Sequence, residues 1–228
     1  MRKSGDLLPR VVLRLDSHYG GSEPPPATDA LELILWENVA YLVDDDKRRK
    51  ALSALRNEVG LEPGEILSAP PEVLWRVAAR GGMHPAKRVE KLRRIAELAS
   101  TEIDLDSVLK LSAKDARKAL KRFPGIGDPG AEKILLFTGT EAVLALESNG
   151  LRVLVRLGFG EQRSSYSATY RSVREAVSDQ LPNDCAWLIR AHQLLRQHGK
   201  ELCRTSRPSC AACPLQGDCA FASKHDKP

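Results

Sequence analysis

Four of the chain's five cysteines fall in one stretch, CRTSRPSCAACPLQGDC, residues 203–219. Thiolates are soft ligands, so Cys203, Cys210, Cys213 and Cys219 read as a centre for zinc or an iron-sulfur cluster. Successive cysteines are separated by six, two and five residues. Zinc sites more often use two close pairs, whereas one Cys-x-x-Cys flanked by wider-spaced cysteines is compatible with wrapping something larger than one ion. Spacing alone leaves a cluster, zinc and unligated thiols open. The remaining cysteine, Cys185, begins a helical stretch and reads as a core residue.

A second chemically suggestive stretch is FPGIGDPGAEKILLF, residues 123–137. Gly125 and Gly127 permit a tight turn, and Asp128-Pro129 reads as an N-cap followed by proline at the first helical position. A turn that ends at a helix N-terminus presents amides and the positive end of the helix dipole to an anion such as a phosphate. The preceding SAKD reads as a capping box on Ser112 and Asp115, and Lys114, Arg117, Lys118, Lys121 and Arg122 add positive potential. The bland counterpart is a helical hairpin with a solvated basic face.

The elements that must hold these stretches are helical. At 228 residues, 42% hydrophobic, 29% charged and 5% aromatic, the chain can bury one large or two modest cores. Its formal charge of +5 suits a polyanionic partner. No apolar run approaches the ~18 residues that span a bilayer, which points to the cytoplasm or nucleoid, where an odd cysteine count argues further against disulfides. Periodicity predicts a helix at 7–19, a linker GGSEPPPATD, a central buried helix along DALELILWENVAYLVDD, and a more exposed one along DDDKRRKALSALRNEVG. Further helices are expected at 71–80, 85–100, 105–110 and 113–122. After the hairpin, helices at 129–138, 141–145, 149–158, 165–180 and 184–198 complete an all-α fold.

The six-two-five spacing resembles, in every gap, the iron-sulfur loop of the endonuclease III family of DNA glycosylases. AHQLLRQHGKELC resembles the helix that leads into that loop, and the 123–137 stretch resembles the family's helix-hairpin-helix. The resemblance implies a structural 4Fe-4S cluster on Cys203, Cys210, Cys213 and Cys219, with Lys200, Arg204 and Arg207 near phosphates. It also implies a hairpin in which Gly125, Ile126, Gly127 and Gly130, beside Lys121, grip duplex DNA.

The family's catalytic aspartate lies eighteen residues beyond a hairpin position that holds lysine in strand-cutting members; here the two positions read Glu147 and Pro129. Proline has no amine, so Schiff-base lyase chemistry is not expected, with Lys133 one turn on as the conceivable substitute. A carboxylate at 147 would stabilise an oxocarbenium-like sugar, and its structural alternative is a helix cap near Asn149. ESNGLRVLVRLG and WENVAYLV resemble the adenine-removing branch, which implies that Glu37 protonates the departing base and that Asn149 and Tyr41 contact DNA. That branch's Gln-Gln-Thr is replaced here by Tyr41, Leu42 and Val43. An alternative for Glu37 is a carboxylate satisfied by an arginine or a backbone amide.

The expected architecture is a two-lobed helix-hairpin-helix glycosylase fold with a cleft between the lobes. A six-helix barrel spans 28–142, its hairpin at about 113–138, and a cluster domain combines 1–27 with 143–228. The expected activity is monofunctional excision of a damaged or mispaired base from duplex DNA by a monomer. The alternatives are a catalytically weak or inactive damage-binding or abasic-site-binding protein of the same fold, and a zinc-stapled DNA-binding module.

Overall fold

The computed structural model describes residues 7–225, and the first six and last three residues of the expected cluster domain lie outside them. Packing divides the chain into two compact units, one combining the residues up to Pro25 with those from Ala142 onward, the other running from Pro26 to Glu141. All regular elements among the described residues are helical.

The discontinuous unit is built from α1 (Leu7–Tyr19), α10 (Ser148–Leu157), α11 (Tyr166–Val177), α12 (Cys185–Glu201) and α13 (Ala220–His225). Its axis is the pair α10 and α12, against which α1, α11 and α13 pack. Leu8, Val11, Val12 and Leu15 of α1 are buried at helical spacing, as an amphipathic stripe requires. Asp184 caps α12 by accepting from the amides of Ala186 and Trp187.

The continuous unit contains α2 (Ala30–Asn38), α3 (Asp45–Glu58), α4 (Pro63–Ser68), α5 (Pro71–Arg80), α6 (Pro85–Thr101), α7 (Leu105–Val108), α8 (Ala113–Leu120) and α9 (Asp128–Phe137). Helix α2 packs on α3, α6 and α9, and its Leu33, Ile34, Leu35 and Trp36 are all buried, so its sequence shows no polar face.

Two expectations are corrected, and two short helices are additional to them. The central helix does not continue through Tyr41–Val43 but stops at Asn38: the Tyr41 amide donates to the Gly81 carbonyl at 2.9 Å, and Leu42 turns left-handed at φ 52°. The approach is close enough that a Cβ on Gly81 would lie 2.0 Å from the Val39 carbonyl oxygen. No helix forms at 141–145. Val143–Leu146 is a buried irregular segment in which the Ala145 amide turns back to Val143 O at 3.0 Å, while two carbonyls meet side chains: Ala145 O with His192 Nδ1 at 2.6 Å and Leu146 O with the Tyr166 hydroxyl at 3.0 Å. Helix α4, with Pro63 in its first turn and a reciprocal Glu62/Glu65 capping box, was not foreseen, nor was α13.

Candidate functional site

In the discontinuous unit the four loop cysteines are all free of disulfide bonds. They line one recess enclosing about 310 Å³ of empty space, part of it open to solvent. Among the described residues no three His, Cys, Asp or Glu side chains converge closely enough to hold a single metal ion. Four thiols around a shared space are a soft donor set of the kind that holds an iron-sulfur cluster or a zinc ion. N–H groups already aim at the sulfurs: Leu215 N lies 3.4 Å from Cys213 Sγ and Arg156 Nη1 3.4 Å from Cys203 Sγ. Arg156 also stacks over Phe221 at 4.6 Å and donates to the carbonyls of Arg204 and Thr205, fixing the loop's first turn. Behind the loop, burial holds the His198 imidazole neutral, with its pKa lowered to about 4, and raises that of the Tyr19 hydroxyl. Arg204 and Arg207 are exposed, the latter at a left-handed φ of 54°.

Glu147 is the N-cap of α10. One carboxylate oxygen accepts from the Gly150 amide at 2.7 Å and the other from Asn149 Nδ2 at 2.8 Å. The helix terminus therefore holds a carboxylate there, partly exposed, with both oxygens hydrogen-bonded. Asn149 accepts in turn from Arg152 Nη2 at 2.8 Å, and Arg152 donates onward to the carbonyls of Gly199 (2.7 Å) and Cys203 (2.9 Å). Sequence reasoning missed this link from the cysteine loop to Glu147, because its partners are some fifty residues apart.

In the continuous unit the hairpin joins α8 to α9. Gly125 adopts φ 73°, and a Cβ there would lie 2.7 Å from Asn38 Oδ1. Asn38 Nδ2 donates to the carbonyls of Pro124 (2.8 Å) and Ile34 (3.0 Å), so a buried amide on α2 clamps the turn. Gly125 and Gly127 are exposed and Gly130 is half-buried, whereas the Ile126 side chain is buried and its amide already donates to Phe123. The α9 cap is Gly127, not Asp128. Asp128 instead begins the helix and pairs with Lys121 Nζ at 2.6 Å. Of the five hairpin cations, Arg117 is bound by both oxygens of Glu141 and Arg122 pairs with Glu102, which leaves Lys114 and Lys118 exposed without a described ion-pair partner.

Glu37, near the end of α2, accepts from Lys133 Nζ of α9 at 2.6 Å, the two side chains being 24% and 16% exposed. The satisfying partner is a lysine, and Lys133 is not a solvated amine. Glu37 also borders a recess of about 830 Å³, part of it open to solvent, together with Asn38, Tyr41, Met83, His84, Lys87, Arg88 and Lys91. Tyr41 and Met83 are exposed at 55% and 56%. The buried Arg88 holds the facing loop through the carbonyls of Ala78 (2.7 Å) and Met83 (2.6 Å). An aromatic and a thioether at the rim, cations on one wall and a carboxylate on another suit a nucleotide.

No family model matches the chain. Endonuclease III of Thermotoga maritima is 25% identical over 202 residues, covering 88% of this chain and 87% of that protein. Among solved structures, a trapped endonuclease III–DNA covalent intermediate superposes with a TM-score of 0.76 at 17% identity, covering 98% of this chain and 99% of the other. A thermostable thymine-DNA glycosylase gives a TM-score of 0.74 at 16% identity, covering 95% and 97%. The fold is that of the helix-hairpin-helix DNA glycosylase superfamily. The sequence is similar to that of endonuclease III along most of its length.

Proposed function

We propose that the protein is a base-excision-repair DNA glycosylase acting as a monomer on duplex DNA, hydrolysing the bond between a flipped damaged or mispaired base and its sugar. The observation that carries this reading is the hydrogen-bonded Glu147 carboxylate at the α10 N-terminus, at the spacing from the hairpin expected of the catalytic acid residue. As the base departs, the sugar carries positive charge, and Glu147 stabilises it and orients the attacking water. The water oxygen bonds to the anomeric carbon, one water proton passes to the carboxylate, and the base leaves with a proton supplied by the Glu37–Lys133 pair. The amides at the start of α9 that helix geometry leaves without partners, with Gly125, Gly127 and Gly130, hold a backbone phosphate.

Cys203, Cys210, Cys213 and Cys219 would hold a 4Fe-4S cluster in a structural role, stapling the loop that carries Arg204 and Arg207. Excision leaves the abasic strand intact, because Pro129 has no amine and Lys133 is engaged with Glu37.

The test is single-turnover incubation with a panel of lesion and mismatch duplexes, each split between direct loading and hot alkali. Breaks appearing only after alkali are expected; breaks without alkali would sink the lyase-free assignment. A second reading, a damage-binding protein without catalysis, draws on the same geometry: both oxygens of Glu147 are engaged and Glu37 is ion-paired. It predicts binding to an abasic-analogue duplex with no base released from any member of the panel.

A further inference from the structure

Behind the cysteine loop, three polar side chains from distant parts of the chain form a line. Tyr19, the last residue of α1, places its hydroxyl 3.0 Å from Nδ1 of His198 on α12. The other ring nitrogen, Nε2, lies 3.4 Å from Sγ of Cys213. His198 is only 1% exposed, and the Tyr19 and His198 rings meet edge to face at 6.2 Å. A buried imidazole with one nitrogen on a hydroxyl and the other on a sulfur has its proton placement decided by those neighbours.

A metal-bound thiolate has no S–H to donate, so the nitrogen facing it must carry the ring proton. A neutral imidazole then has an acceptor at Nδ1, and the Tyr19 hydroxyl is the donor that satisfies it. We infer that Tyr19 and His198 form a donor chain aimed at Cys213, which sets the reduction potential of the cluster held by the loop. The inference rests on the cluster reading given above. His198 acts through the Cys213 sulfur and Tyr19 acts through His198, so both are positioning residues. An N–H donated to a cluster sulfur draws electron density from the thiolate and makes the cluster easier to reduce. Cys213 also accepts from the Leu215 backbone amide, which no side-chain change removes. The ring is therefore the adjustable donor of the pair.

The experiment uses the full chain and three variants, Tyr19→Phe, His198→Phe and His198→Gln, reading iron and sulfide content, visible absorption and midpoint potential. All are expected brown with wild-type iron content. His198→Phe should shift the potential to more negative values, and Tyr19→Phe should shift it the same way by less, because the ring still donates to the sulfur but its Nδ1 has lost the hydroxyl that holds the ring in place. His198→Gln, whose side-chain amide can donate to the sulfur, should return the potential toward wild type. Coloured variants whose potentials equal the wild type would overturn the inference while leaving the cluster reading intact. Should His198→Phe fail to fold, Tyr19→Phe decides alone: a negative shift supports the chain and no shift overturns it. A colourless, zinc-containing wild type would refute the cluster reading and the inference together, and it would be seen before any variant is made.

Discussion

At the scale of single residues, Glu147 carries two separable duties. Glu147→Ala removes the acceptor for the Gly150 amide and should cost about 1 kcal/mol of stability, the usual worth of an N-cap, measured by urea unfolding. Glu147→Gln keeps a carbonyl oxygen for that amide but has no charge to offer the sugar. It should unfold near the wild-type midpoint yet release base about 10²–10³-fold more slowly in single turnover, the usual cost of deleting one preorganised electrostatic contact. Equal rates for Glu147→Gln and wild type would reduce Glu147 to a helix cap. Lys133 makes a complementary case. Its ion pair with Glu37 predicts that borohydride traps no covalent adduct between the wild-type protein and an abasic duplex.

At the scale of elements, the hairpin presents a carboxylate where a phosphate is expected. Asp128 starts α9 and occupies Lys121, so the local field is weaker than five nearby cations suggest. Asp128→Asn should tighten binding to an abasic-analogue duplex and steepen the dependence of log affinity on log salt by about one, as Lys121 becomes available for a phosphate. Fluorescence anisotropy across a salt series measures both. Gly125→Ala places a Cβ at a left-handed φ and against Asn38, and should cost about 1–2 kcal/mol while loosening DNA binding.

The same scale explains what could be read in the sequence. The cysteine loop and the hairpin were legible because each is contained in fewer than twenty consecutive residues, and most helices were legible because apolar periodicity is local. The end of α2 was not, since it is set by the Gly81 carbonyl some forty residues downstream. Val143–Leu146 read as helix because it is apolar throughout, and only Tyr166, Tyr170 and His192 reveal what holds it out of a helix. Glu37 was singled out, but its partner Lys133 lies ninety-six positions away, and no spacing rule connects them.

At the scale of the whole molecule, two packed units predict uneven stability. The discontinuous unit carries the loop with the four half-buried cysteines, so removing the iron of the proposed cluster should unfold or loosen that unit first. Hydrogen exchange after chelation should quicken in α10 and α12 while α2, α6 and α9 keep their protection. Uniform loss of protection throughout the chain would mean that the units do not unfold separately.

Arg152 gives that unevenness a direction. It is one guanidinium bonded at once to the Cys203 carbonyl and, through Asn149, to the carboxylate proposed for chemistry. A chain whose loop has not matured would keep its hairpin and still hold DNA, while the group meant to cut would be slack. Such a molecule would handle damage without severing bases, so that, under the proposed cluster and chemistry, the supply of iron and sulfide would act as a licence that arms only a fully assembled copy.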